Sequence, residues 1–269
     1  MIRTVRSTVL PGTLVGCSSK SYFDLASARR WGQRVAEAAS SGEVTDVGLY
    51  VCPAFPLVPV LGAELAGTEV ALGAQDVSVH PPGAFTGEVS AELLAELMVR
   101  YVMVGHPERL RMSAEEAAAV PGKIERVAAA GLVPIIIVGE PEPGPRAEQL
   151  WAEQLQVGLD RFPSDGELII AYEPTWAIGQ AEPAPGAHVA EAVAIIRQLA
   201  GQHVAETRVL YGGSARPGTF TDIASAATAR EMPVPEGIFL GRAGLDPETF
   251  LATAAEVQAV RAGAIDVAG

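Results

Sequence analysis

Residues 168–180 read LIIAYEPTWAIGQ. Leu168, Ile169, Ile170 and Ala171 form a short apolar run, the composition of a strand buried on both faces of a parallel sheet. The run ends in a carboxylate, Glu173, followed by Pro174, Trp176 and a loop of small residues. A strand that crosses a core and carries an acid at its tip fits a closed barrel, which sets its chemistry at the carboxyl ends of its strands.

Working outward, the same kind of run recurs at Thr13–Gly16, Val47–Val51, Val70–Gln75, Tyr101–Gly105, Val133–Val138, Arg208–Tyr211 and Gly237–Gly241. With Leu168–Tyr172 that makes eight strands. Between them, apolar spacing near 3.6 predicts helices over Asp24–Ser40, Ala91–Val99, Ala147–Leu159, His188–Ala200 and Pro247–Ala262. Ser113 is an N-cap for a helix with the acidic first turn SAEE; Pro121 predicts a break, and a second helix then runs to Ala130 before Gly131. Eight βα units in 269 residues predict an α/β fold, a single (β/α)8 barrel domain over 1–269 with its core at about 11–262. The competitor is a doubly wound open sheet, but no G-x-G-x-x-G follows an early strand.

The composition narrows the function. The net charge is −13, and only two of the 19 basic residues are lysines, Lys20 and Lys123, leaving 17 arginines. Such a chain lacks the clustered cations that hold a nucleic-acid backbone. No apolar run approaches the roughly 20 residues of a membrane span. The opening stretch MIRTVRSTVLPGTLVG has no secretory pattern, so a cytoplasmic protein is expected. Cys17 and Cys52 lack metal-site spacing and read as small buried thiols. His80, His188 and His203 read as loop or surface histidines.

The strand tips carry the chemistry. They read 16-GCSSKS-21 with Lys20, 104-VGHPERL-110 with His106, Glu108 and Arg109, Glu173 itself, 211-YGGSARPG-218, and 241-GRAGLDPETF-250. An ammonium, an imidazole and a carboxylate thus converge on one mouth. Glycine-bearing turns beside them direct backbone N–H groups at an anion, for which phosphate is the natural guest. A carboxylate base, a neutral electrophile and a cation suit proton abstraction next to a carbonyl.

AYEPTWAIG, GHPER, GAFTGE, PIIIVGE, YGGS and FLG, in this order, resemble the triosephosphate isomerase family over nearly the whole chain. The resemblance implies a TIM barrel that needs no cofactor or metal. It makes Glu173 the base, His106 the neutral imidazole that polarises the carbonyl, and Lys20 the positive charge. Glu108 orders the lysine. Pro174–Ala184 form a lid latched by Tyr211 and Ser214, and the backbone of Gly179, Ser214 and Gly241 holds the substrate phosphate. Phe85, Thr86 and Glu88 lie in a loop that enters a neighbouring subunit, which implies a homodimer.

The departures matter as much. Ser18-Ser19-Lys20 replaces Asn-Trp-Lys, so Ser18 offers a shorter hydrogen-bonding group to the substrate, and space opens behind the lysine. Pro107 replaces serine and constrains His106. Ile137 stands where a cysteine is usual, behind the base. Asp76 replaces an asparagine. In the lid the usual Gly-Thr-Gly-Lys becomes Gly179-Gln180-Ala181-Glu182, followed by Pro183, which makes its carboxyl-terminal hinge stiffer and more acidic. Arg242 replaces a glycine of the phosphate loop: it blocks the anion if the backbone needs φ > 0, or its guanidinium lengthens the site for another phosphosugar. Three readings follow: a triosephosphate isomerase, an isomerase of a four-carbon phosphoketose, or a barrel that binds phosphosugars without turnover.

Overall fold

The computed structural model describes residues 9–265 and 267. Arg3 and Arg6, and most of the stretch read as lacking a secretory pattern, lie outside the described residues. Eight parallel strands close in sequence order: β1 (Leu14–Ser18), β2 (Gly48–Cys52), β3 (Ala71–Ala74), β4 (Val99–Val104), β5 (Val133–Val138), β6 (Glu167–Tyr172), β7 (Glu206–Tyr211) and β8 (Gly237–Leu240), with β8 pairing back to β1. Around them run α1 (Leu25–Ser41), α2 (Val58–Glu64), α3 (Ala91–Glu96), α4 (Pro107–Leu110), α5 (Ala114–Ala129), α6 (Ala147–Leu159), α7 (Gly186–Ala200), α8 (Thr219–Thr228) and α9 (Pro247–Arg261). The fold is the expected (β/α)8 barrel. No helix among the described residues is long and apolar enough to cross a membrane.

Two cores explain why the strand runs are uninterrupted in hydrophobicity. Ile135, Ile137, Ile169, Ala171, Leu210 and Phe239 fill the barrel interior together with Tyr50 and Tyr101, whose ring centroids are 4.9 Å apart. The alternate residues, such as Ile136, Val138, Leu168 and Ile170, join Trp31, Leu155 and Phe250 in the layer between barrel and helices. Because side chains alternate along a strand, Ile169 and Ala171 facing inward predict that Glu173 faces inward too. The same parity on β1, with Leu14 inside, carries Ser18 and Lys20 toward the mouth.

Several local expectations are corrected. α5 runs without a break through Pro121. The missing N–H costs one helical bond, but Ile124 and Val127 are buried on this helix, and Lys123 binds Asp76 and Glu116 at 2.8 Å each. Packing and ion pairs outweigh the proline. The helix expected over Ala91–Val99 stops at Glu96; Met98 takes φ 62, and Val99 already belongs to β4. α2 and α8 escaped the pattern because α2 is short and begins beside proline, while α8 (TFTDIASAAT) is rich in β-branched and small polar residues. Cys17 and Cys52 are free, buried thiols as expected.

Candidate active site

At the carboxyl ends of the strands a cavity of about 460 Å³ is lined by Ser18, Lys20, His106, Glu108, Glu173 and Arg242, among others. Strand parity delivers Glu173 there, and its backbone N–H is fixed to the Val138 carbonyl at 2.8 Å. Gly212 makes room for it: a Cβ at that position would sit 2.6 Å from Glu173 Cγ. His106 has the wrong parity for β4, since Tyr101 and Met103 face inside. Gly105 corrects this with φ +80, a conformation that glycine adopts without a Cβ penalty and that turns the chain so His106 reaches the mouth.

The imidazole is oriented by α4. The Glu108 backbone N–H donates to His106 Nδ1 at 3.2 Å. Nδ1 is therefore the acceptor, the ring proton sits on Nε2, and Nε2 lies 3.7 Å from Glu173 Oε2. Pro107 occupies the first helical position, where its missing N–H has no helical partner to lose. With Pro107 in place, His106 still lines the cavity.

Lys20 is held in an unusual backbone conformation, φ 44. Gln75 Nε2 donates to the Lys20 carbonyl and to the Cys52 carbonyl, both at 2.9 Å, and the Lys20 N–H donates to Ser18 Oγ at 3.3 Å. The ammonium donates to Glu108 Oε1, the partner expected for it. Arg109 turns away to Asp76 and Glu116 and takes no part in the mouth.

Burial splits the ordinary titration order. Desolvation pushes the Glu173 carboxyl up to about 8, opposed by the positive charge of Lys20 and reinforced by Glu108. Desolvation, with Lys20 acting in the same direction, pulls His106 down to about 4. Glu108 stays below its usual value: burial raises it, but the hydrogen bond and charge of Lys20 prevail. A neutral imidazole that can donate from Nε2 and a carboxyl group that holds protons strongly are a matched acid–base pair.

Residues 174–184, the stretch expected to form a lid, are tied down at the mouth. The Ala184 N–H donates to Tyr211 Oη at 2.9 Å, Ser214 Oγ donates to the Ala177 carbonyl at 2.7 Å, and the Gly179 N–H donates to Ser214 Oγ at 3.0 Å. Tyr211 and Ser214 make the latching contacts expected of them. Arg216 adds contacts that the sequence did not suggest: Nη1 donates to the Ala181 carbonyl at 2.6 Å, and Nη2 pairs with Glu182. At the other end, Trp176 Nε1 donates to the fully buried Glu140 at 2.7 Å. Sequence reasoning gave Glu140 no role, although it stands at the tip of β5 in PIIIVGE. His188, expected at the surface, bonds Tyr172 Oη at 2.9 Å and Glu140 at 3.2 Å. Ile137 stays within the barrel core below the base.

The side expected to hold a phosphate is differently made. Ser214 has φ 53, so Gly212, Gly213 and Ser214 curl into a turn of the kind whose successive N–H groups cradle anions. Arg242 opens a short 3-10 turn and is not among the described non-glycine residues with positive φ, so no glycine is required at its position. Its Nη2 lies 3.8 Å from where a Cβ would stand on Gly179. Among the described residues it has no hydrogen-bond or ion-pair partner, and no group of three or more metal-ligating side chains occurs.

A closed parallel barrel with a buried carboxyl group, an imidazole and an ammonium facing one cavity is the arrangement of an aldose–ketose isomerase type of enzyme. A family model described as triosephosphate isomerase matches residues 13–257. Triosephosphate isomerase of Thermus thermophilus is 42% identical over 213 residues, 75% of this chain and 82% of that protein. That of Halorhodospira halophila is 39% identical over 233 residues, 83% and 89% of the two chains. L-erythrulose-1-phosphate isomerase of Pectobacterium atrosepticum is 36% identical over 248 residues, 88% and 92%. The chain belongs to the triosephosphate isomerase family.

Proposed function

We propose that this protein interconverts dihydroxyacetone phosphate and D-glyceraldehyde 3-phosphate through an enediolate, with side chains alone moving the protons. Glu173 takes a proton from the carbon beside the carbonyl and returns it to the neighbouring carbon. His106 donates from Nε2 to the carbonyl oxygen, which becomes the new hydroxyl, and takes back the proton that the original hydroxyl gives up, so that it ends neutral, having stabilised the enediolate between. Lys20 lies close enough in charge to affect both groups and favours the developing anion. The carrying observation is the 3.7 Å approach of His106 Nε2 to Glu173 Oε2 within one cavity beneath a latched lid. Lid closure excludes water, so a carboxylate that enters ionised becomes a stronger base as it is covered. It also shields the enediolate from losing its phosphate.

The N–H groups of Gly179, Ser214 and Gly241, with the Arg242 guanidinium, bind the substrate phosphate in this reading. The Gly179 N–H would exchange its Ser214 partner for the anion. The protein acts as a homodimer through Phe85, Thr86 and Glu88; support comes from the exposure of that loop, where Phe85 stacks on His80 with ring centroids 4.0 Å apart. The cytoplasmic location expected from the sequence belongs to the same proposal.

One observation favours a second substrate. Arg242 lines the cavity without a partner among the described residues, so its guanidinium is free to reach a longer, four-carbon phosphoketose. Turnover of glyceraldehyde 3-phosphate against erythrulose phosphate separates the two. Measurable triose turnover that disappears in Glu173→Gln supports the first reading; turnover of the four-carbon substrate alone replaces it with the second.

A further inference from the structure

The stretch read as a lid, 174–184, has at its start and just beyond its end side chains that reach one buried carboxylate, and these two places are the expected hinges. On the amino-terminal side the Thr175 N–H and Oγ1 bind the Glu140 carbonyl at 2.9 and 3.0 Å, and Trp176 Nε1 binds Glu140 Oε1 at 2.7 Å. On the carboxyl-terminal side the lid runs into α7, which begins at Gly186. His188 stands in the first turn of that helix, with Nε2 3.2 Å from the same Oε1. Tyr172, the residue before the catalytic base, donates to this oxygen at 3.0 Å, and Trp151 donates to the other at 2.9 Å. The single Tyr172 hydroxyl proton is used on Glu140, so His188 Nε2 carries a hydrogen shared between Tyr172 Oη and Glu140 Oε1. Trp176 also packs edge-on to the His188 ring, with centroids 5.4 Å apart.

We propose that His188 is a positioning residue which, by binding Glu140 beside Trp176, makes the two lid hinges open and close as one unit. Glu140 is wholly removed from solvent, so its charge depends on these donors, and the loss of one is felt by the others. A lid whose carboxyl-terminal hinge were independent would close stepwise and leave the enediolate briefly exposed. The inference rests on the proposed isomerase reading for its kinetic consequence but not for its structural one.

The test compares wild type, His188→Ala and His188→Gln, since glutamine keeps an N–H donor. Amide hydrogen exchange is followed over residues 174–178 and 186–190, without ligand and with inorganic phosphate as the probe. In His188→Ala, exchange rises about tenfold at both hinges together, and glutamine restores part of the protection. Faster exchange at 186–190 alone, with 174–178 unchanged, overturns the proposal. If the alanine variant does not fold, His188→Leu, which fills the space without a donor, carries the same comparison. In turnover assays the alanine variant loses kcat more than it raises KM and releases more inorganic phosphate per isomerisation. If wild type turns over neither phosphosugar, the isomerase reading fails, while the exchange comparison still decides the linkage of the hinges.

Discussion

The two sides of the mouth are built on opposite plans. On the chemical side every charge is already engaged: Lys20 with Glu108, Glu108 with His106 through its backbone, and Glu173 facing His106. On the phosphate side Arg242 has no partner among the described residues, and the turn at Ser214 bends its backbone into an anion cradle. The chemical side is preorganised, so little must move when the reaction begins. In the proposed reading the phosphate side is left incomplete and is finished by the ligand. Placement is thus the work of the fold, and the proposed reading puts selectivity where the fold leaves charge unspent.

The sharpest way to break this contrast is Glu173→Gln. Turnover should fall by at least about 10³-fold, while the circular dichroism spectrum stays that of the wild type. The same variant tests the burial of the carboxyl. Because the folded group holds its proton up to about 8 and an unfolded one releases it near the ordinary carboxylate value, the wild type binds more protons folded than unfolded across that window. Its stability therefore falls as pH rises toward 8, and Glu173→Gln should be more stable at pH 8 by roughly 1–3 kcal/mol in urea unfolding. An unchanged or lower midpoint would mean the carboxylate is not desolvated. His106 has the opposite sign. Its folded value near 4 lies below that of the unfolded chain, so its contribution is present above the ordinary histidine range and is lost as pH falls toward 4.

Smaller effects probe the phosphate side. Arg242→Gly should weaken kcat/KM for a four-carbon ketose phosphate about tenfold more than for the triose. Equal losses on both would make Arg242 a general anion contact and remove it as the source of selectivity. Arg216→Ala should change least. Its pairs with Glu182 and Ala181 are solvent-exposed, so an effect of about 2–5-fold on KM is the scale to expect, shrinking in high salt.

Much of this was legible in the residues. Position at the carboxyl ends of β1 and β6 put Ser18, Lys20 and Glu173 in the mouth before any contact was known, and the alternation of inward and outward side chains on those strands accounts for it. His106 needed Gly105 as well, since strand parity alone sends it outward. The Glu140 cluster was not legible as a unit: it joins the tips of β5 and β6, the lid, α6 and the first turn of α7, and no spacing along the chain marks His188 as a member. The Arg216 contact with the lid was hidden for the same reason. Pro121 misled because the local rule is sound and tertiary contacts of Lys123, Ile124 and Val127 override it.

The twisted backbone at Lys20 carries a cost outside catalysis. A left-handed residue that is not glycine is strained by about 1 kcal/mol, so Lys20→Gly should tolerate heat better than Lys20→Ala, reversing the usual order for a loop. A library selected for heat resistance alone would therefore drift from lysine toward glycine here and return robust, silent barrels. Only a screen that demands product would keep the ammonium where it stands.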